Sequence, residues 1–139
     1  MKTTNKNFGN KTMTILAFMI FAFTNTAFAQ QGVHRTELQR HDMSTPGYEA
    51  VQVVVALDPG TAVGYHNHPG EEIIYVTEGV LEYTIEGKAP VTLKAGDVLF
   101  VPAGAYHAAV NKGKVIGAEL ATYIVDKSKP IVVLKKENK

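Results

Sequence analysis

The chain has 139 residues and no cysteine, with 14 lysines and arginines against 13 aspartates and glutamates. Without cysteine the fold contains no disulfide bond, so burial of apolar side chains and bound ligands must stabilise it. The net charge of +1 and the lack of a basic patch argue against a nucleic-acid partner. This length is typical of one domain with one core.

The first 29 residues have the pattern of a cleavable secretory signal. Three lysines precede an apolar run over residues 13–23, which is far too short to span a bilayer, and Ala27-Phe28-Ala29 fits the small-x-small cleavage pattern. We therefore expect a cut between Ala29 and Gln30 and a bacterial protein in the periplasm or medium, with no membrane partner after processing. Loss of three lysines leaves 11 basic and 13 acidic side chains on the domain over 30–139.

The rest of the chain predicts short β-strands separated by turns. Residues rich in β-branched and aromatic side chains recur at short intervals, with glycine or proline between most of the runs. The runs cover 48–57, 72–77, 80–86, 91–93, 98–101, 106–110, 115–125 and 131–134. No helical period or sequence repeat is present, so the pattern predicts an all-β sandwich or barrel.

Several predicted strands are apolar on both faces, as in residues 51–55. One face must fill the interior of the barrel, and the other face needs a cover. A second copy of the chain would provide it, as would the chain's own N-terminal arm. We expect a homodimer.

Two half-motifs bring histidines and a carboxylate into metal-binding positions. In a strand, His66 and His68 project to the same side, about 7 Å apart. Pro69 and Gly70 predict a turn after which the chain doubles back, so that a glutamate at the start of the next strand lies beside the imidazoles. Periodicity leaves Glu71 and Glu72 as alternatives, because the residues that follow are apolar on both faces.

A third histidine, His107, comes from a distant predicted strand and completes the set. Three neutral imidazoles and one carboxylate suit Fe, Mn, Ni, Cu or Zn, and they suit Ca and Mg poorly.

The spacing resembles the paired signatures of the cupin superfamily, G-x5-H-x-H-x3-E-x6-G and G-x5-P-x-G-x2-H-x3-N. All ten fixed positions are filled, by Gly60, His66, His68, Glu72, Gly79, Gly96, Pro102, Gly104, His107 and Asn111. The resemblance, to small RmlC-like or quercetinase-like cupins, implies a single antiparallel β-barrel of the double-stranded β-helix or jelly-roll type. It also implies that His66, His68, Glu72 and His107 bind one divalent transition metal ion per chain, with Fe or Mn favoured and Zn, Cu or Ni possible.

Residues outside the motifs give weaker signals. Glu119 lies in an apolar run and is the only candidate for a catalytic acid or base, although an exposed position is the better expectation for a charged side chain. Tyr75 and Tyr83 are expected to be ordinary strand residues. His34 and His41 lie outside the motifs and are expected to be surface residues. Arg35 and Arg40 could bind an anionic group, but nothing in the sequence places them near the metal.

Three functions are compatible with these residues. The favoured one is a metal-dependent, dioxygenase-like oxidoreductase acting on a small organic substrate in the barrel, because four protein ligands leave positions for substrate and O2. The second is a metal-dependent lyase or isomerase of a small acid or sugar. The third is a metal or small-ligand binding protein without catalysis. A cavity-facing acid or base with a shifted pKa separates the enzymes from the binding protein.

Overall fold

The computed structural model describes residues 30–136, and the predicted signal segment 1–29 lies outside them. The described residues form ten strands and no helix that could cross a bilayer. The strands are β1 (Val33–Asp42), β2 (Tyr48–Leu57), β3 (Ala62–Asn67), β4 (Gly70–Glu78), β5 (Val80–Ile85), β6 (Val91–Lys94), β7 (Val98–Val101), β8 (His107–Val110), β9 (Gly117–Asp126) and β10 (Val133–Leu134).

The strands form two five-stranded sheets. The first has the order β1-β2-β9-β4-β7 and the second has the order β10-β3-β8-β5-β6. Every strand pair in both sheets is antiparallel. β1 and β2 share a sheet, as do β5 and β6, but β3 and β4 belong to different sheets. The predicted all-β fold, an antiparallel barrel of the jelly-roll type, is confirmed.

The core lies between the sheets and follows from strand alternation. On β2 the inward positions Val51, Val55 and Leu57 are buried, and on β4 Ile74 and Val76 are buried in the same way. Each fully buried side chain of this kind stabilises the fold by about 1.5–3 kcal/mol relative to an exposed one. The apolar inward faces of these strands therefore carry most of the stability of the barrel.

The first strand is one that the sequence pattern did not predict. β1 is polar and almost entirely exposed, yet it pairs with β2 along its whole length, with one bulge between Glu37 and Gln39. Its backbone groups complete the ladder of β2, so pairing rather than side-chain burial fixes it in place. β1 is an edge strand, and it does not cover the outer face of β4 and β7 at the opposite edge of the sheet.

That outer face is apolar in the described protein. Ile73 lies opposite Phe100 and Tyr75 lies opposite Val98 across the β4–β7 pair. All four side chains are exposed, Val98 by 65% and Phe100 by 56%. The expected second apolar face is therefore present and uncovered by the N-terminal strand.

Candidate metal centre

The predicted histidines and glutamate reach one point from both sheets. His66 on β3 lies directly opposite His107 on β8 in the second sheet. The turn after His68 does not form the expected hairpin, because β3 and β4 do not pair. It instead carries the chain across the gap to the first sheet, so that Glu72 on β4 faces the imidazoles from the opposite wall. The chain thus closes around the site from two sides.

Strand alternation separates the two candidate glutamates. Glu72 is only 2% exposed and lies beside the histidines, whereas Glu71 lies on the other face of β4 and is half-buried. The position of Glu72 agrees with the assignment implied by the family resemblance.

The donor atoms are close enough to share one ion. One ring nitrogen from each of His66, His68 and His107 lies within 4.8 Å of the other two. The Glu72 Oε2 atom lies 2.9 Å from His107 Nε2 and 3.2 Å from His68 Nε2. Two donors that bind one ion at right angles, each about 2.1 Å away, lie about 3 Å apart. The spacing therefore fits a transition metal.

Backbone hydrogen bonds orient all three imidazoles. A carbonyl oxygen can only accept, so each Nδ1 that contacts one must donate its hydrogen, which leaves the Nε2 lone pair available to a metal. The contacts are His66 Nδ1 to Gly64 O at 2.8 Å, His68 Nδ1 to Ile131 O at 2.6 Å and His107 Nδ1 to Ala105 O at 3.1 Å.

Two buried polar atoms at this point, both hydrogen-bond acceptors, have no partner among the described residues. His68 Nε2 and Glu72 Oε2 are 3.2 Å apart, but their geometry does not satisfy a hydrogen bond. An unsatisfied buried polar atom costs about 1–3 kcal/mol, and more when the group is charged. A bound cation would remove this cost, so the residues present fit a metal ion.

The pKa values favour the metal-binding protonation states of two of these groups. Burial lowers the pKa of His66 to about 4, so its ring is neutral at physiological pH. Burial alone would raise the pKa of Glu72, but the close His107 and His68 rings outweigh burial and lower it to about 2. Burial acts to lower the pKa of His107, and the Glu72 carboxylate reverses this and raises it. Without a metal, His107 therefore holds a proton more readily than His66 does.

Glu119 is buried, which corrects the expectation of an exposed strand residue. It is 6% exposed and lies on β9 between Val55 of β2 and Val76 of β4. The Tyr83 hydroxyl, on β5 of the opposite sheet, donates a hydrogen bond to Glu119 Oε2. Tyr83 is therefore a cavity residue and not only a strand residue. Tyr75, in contrast, is exposed on the outer face.

The surroundings of Glu119 make it a weak acid. Burial raises its pKa to about 8 and the negative charge of Glu72 adds to the shift, whereas Tyr83 and Arg35 act in the opposite direction. Burial likewise raises the pKa of Tyr83 above its ordinary value. At neutral pH Glu119 therefore carries a proton that it can give up or regain near physiological pH, whereas Tyr83 keeps its own proton.

A narrow cavity of about 20 Å³, partly open to solvent, connects three of the metal-binding candidates, His66, Glu72 and His107, to this pair. Its wall also contains Tyr123 and Arg35, which the sequence analysis did not place there. Tyr123 lies four residues after Glu119 on β9, so strand alternation could have found it once Glu119 was placed inside. Arg35 could not be found in this way, because β1 was not predicted. His34 and His41 are exposed, as expected.

The chain belongs to the cupin family: the model described as "Cupin domain" matches residues 53–124, just over half of the sequence. This range contains all four metal-ligand candidates together with Tyr83, Glu119 and Tyr123, while Arg35 lies before it.

Three similar proteins have names that state an activity or a ligand. The dimethylsulfoniopropionate lyase DddQ of Ruegeria pomeroyi is 40% identical over 55 residues, which cover 40% of this chain and 27% of the lyase. Its crystal structure superposes with a TM-score of 0.57 at 30% identity, over 62% of this chain and 43% of that one. An oxalate-binding protein of Thermotoga maritima is 45% identical over 58 residues, 41% of this chain and 47% of that protein.

The third is the structure of a recombinant oxalate oxidase in complex with glycolate. It has a TM-score of 0.61 at 26% identity, over 79% of this chain and 58% of that one. The matched segments span only about a quarter to a half of the two curated relatives.

Proposed function

We propose that this chain is a metal-dependent cupin enzyme that binds one divalent transition metal ion through His66, His68, Glu72 and His107. The observation that carries the proposal is the convergence of these four buried side chains on one point. Two of them have a polar atom without a hydrogen-bond partner among the described residues, and the hydrogen-bonded Tyr83–Glu119 pair lies on the same cavity. Fe or Mn is favoured by family resemblance, and Zn, Cu or Ni is compatible with the same donors.

The substrate that we propose is a small organic acid. The narrow cavity of about 20 Å³ limits the substrate to a small molecule. Two of the similar proteins are named for small carboxylates, dimethylsulfoniopropionate and oxalate. A bound metal ion would supply Lewis acidity toward a substrate carboxylate.

The reaction that the cavity supports best is proton abstraction followed by elimination, as in a lyase. In its ionised form, Glu119 takes a proton from the carbon next to the substrate carboxylate. The electrons of that C–H bond form a carbon–carbon double bond, and the leaving group departs with its own bonding electrons. The Tyr83 hydroxyl holds the Glu119 carboxyl in place through its hydrogen bond. A binding protein without catalysis has no need of such a pair.

The second candidate is the dioxygenase-like oxidoreductase predicted from the sequence. Four protein donors leave coordination positions for O2 and substrate, and the likeness to an oxalate oxidase over 79% of this chain favours it. The third, a non-catalytic binder, is supported by the likeness to the oxalate-binding protein.

One set of measurements separates the three. The purified protein is loaded with Mn or Fe, its metal content is determined, and it is incubated with dimethylsulfoniopropionate, malate and oxalate. Elimination gives an unsaturated acid by NMR without oxygen, and in D2O the α-hydrogens exchange at a rate that Glu119→Gln abolishes. Oxygen uptake without elimination or exchange would replace the lyase proposal by the oxidoreductase. Tight binding of an acid with no exchange, elimination or oxygen uptake would leave the binding protein.

We also propose that the protein is exported after removal of residues 1–29 and that it forms a homodimer. The basic n-region, the short apolar run and Ala27-Phe28-Ala29 support export. Intact mass of the exported protein should begin at Gln30, and retention of residues 13–23 would refute processing. The exposed apolar face of β4 and β7 supports dimerisation.

A further inference from the structure

Arg35 lies on the wall of the cavity although it belongs to the polar edge strand β1. It is opposite Val55 of β2, and Val55 is in turn opposite Glu119 of β9. Side chains directly opposite one another project to the same face of a sheet. Arg35 therefore lies on the same face of the sheet as Glu119, two strand spacings or about 10 Å away, and its side chain stays exposed at the mouth of the cavity. Val132, just before β10, lines the cavity with it.

The charge of Arg35 is not committed elsewhere in the described protein. Arg40 on the same strand pairs with Glu37 and Glu49. Arg35 forms no ion pair or side-chain hydrogen bond with any residue between 30 and 136. A guanidinium offers a fork of donors that matches a carboxylate in a bidentate manner. Unlike Arg40, Arg35 lines the cavity, and its guanidinium donors are free to bind an anion there.

The balance of charges in the cavity favours an anion with two negative groups. A divalent ion bound by the single carboxylate Glu72 retains one positive charge, and Arg35 adds a second. Glu119 is largely neutral at neutral pH, because burial and Glu72 raise its pKa to about 8. The remaining lining groups that titrate, His66, Tyr83, His107 and Tyr123, are neutral when the histidines bind metal.

We propose that Arg35 binds a second carboxylate of the substrate at the mouth of the cavity while the first carboxylate lies at the metal. This inference rests on the proposed metal-dependent function and narrows its substrate class to small dicarboxylates. It disfavours acids whose far end is cationic, such as a sulfonium, because Arg35 repels them. Arg35 is a specificity residue here, and Glu119 performs the proton transfer.

Binding of oxalate, malonate and succinate to the Mn-loaded full-length protein tests the proposal, with acetate as the monocarboxylate. Dissociation constants are measured by calorimetry for the wild type and for Arg35→Gln, Arg35→Lys and Arg40→Gln. Metal content and melting temperature are measured for every variant. Arg40→Gln is the matched control, because it removes the same charge from the same strand outside the cavity.

We expect Arg35→Gln to weaken binding of the best dicarboxylate by about 10–100-fold, the range for one charge-assisted bidentate interaction. Acetate affinity should change by less than about threefold, and metal content should not change. Arg35→Lys should restore part of the affinity, because it keeps the charge but loses the fork. Arg40→Gln should bind dicarboxylates as the wild type does.

Two results would overturn the proposal while leaving the metal site intact. One is an equal loss of acetate and dicarboxylate affinity in Arg35→Gln. The other is a lower melting temperature in Arg35→Gln with unchanged dicarboxylate affinity, which would show that Arg35 only stabilises β1. A protein that binds no metal overturns the proposed function itself and this inference with it, and the metal analysis identifies that case directly.

Discussion

Tyr83 and Glu119 meet across the barrel, each from a different sheet, and the tyrosine hydroxyl donates its hydrogen bond to a carboxyl that is almost completely buried. A carboxyl in this position is uncommon unless it is paired or neutral, because burial penalises its charged form. The same burial that destabilises the Glu119 carboxylate raises the pKa of this group close to physiological pH. The buried carboxyl can therefore exchange a proton at that pH.

Stability of the metal-free protein should consequently fall as pH rises. The folded pKa of Glu119, about 8, is above its ordinary value of 4.5. Between these values the folded state holds a proton that the unfolded state has lost, so stability present below pH 4.5 is lost progressively up to pH 8. The contribution is at most about 1.4 kcal/mol per pH unit. Urea unfolding of chelator-treated wild type and Glu119→Gln from pH 5 to 8 measures it. Equal slopes in both proteins would contradict the prediction.

The two adjacent glutamates form a matched test of the metal site. Glu72→Gln should reduce metal affinity by at least about tenfold, because it removes the only negative donor beside the imidazoles. Glu71→Gln should retain the wild-type affinity, since that side chain lies on the other face of β4. Metal competition with a chromogenic chelator measures both. Loss of metal in Glu71→Gln with retention in Glu72→Gln would refute the ligand assignment.

Metal affinity should decrease as pH falls from neutral. Metal must displace a proton from any protonated imidazole, and the pKa of His107 is raised because the effect of Glu72 exceeds that of burial. The sign is therefore a loss of affinity with acidification, beginning at or above the ordinary histidine range. Metal titrations at pH 7.5, 6.5 and 5.5 check it, with His107→Ala as the comparison. If the metal affinity of the wild type does not change over this pH range, histidines do not bind the ion.

Two glycines with positive φ should differ in their tolerance of a side chain. Gly104→Ala should cost about 1–2 kcal/mol from backbone strain alone, because φ is +73° and the space around its Cβ position is open. Gly79→Ala should cost more, since a Cβ there would lie 2.4 Å from Ile116 O in addition to the strain at φ +66°. Chemical denaturation measures the order, and metal content serves as the control. Equal losses would show that the backbone near Gly79 can shift freely.

Disruption of the apolar face of β4 and β7 should weaken the proposed dimer. Phe100→Ser combined with Val98→Thr removes two of its most exposed apolar side chains. Leu38→Ser, on the bulge of the distant strand β1, is the control because Leu38 is similarly exposed. Sedimentation equilibrium should show a dimer for the wild type and the control, and a monomer for the double variant. A monomeric wild type at high concentration would refute the homodimer.

The sequence by itself was sufficient for the barrel and for choosing the candidate metal ligands. Strand periodicity and turn residues are local properties, so the runs from 48 to 125 and their all-β arrangement could be predicted from neighbouring residues alone. The motif spacing, with its family resemblance, likewise singled out His66, His68, Glu72 and His107. The two-faced apolar strands predicted a second apolar face that needs a cover, and β4 and β7 present such a face on the outside of the barrel.

The tertiary structure alone decided which residues surround the proposed metal. β1 was missed because its pairing with β2 depends on backbone hydrogen bonds, which leave no apolar period in the sequence. The turn at Pro69 joins the two sheets instead of closing a hairpin, because β3 and β4 each pair with strands that are distant in the sequence. Glu119, Tyr83 and Arg35 share one cavity for the same reason. These residues are close together because the two sheets stack, and no local sequence pattern predicts which face of a strand will contact the other sheet.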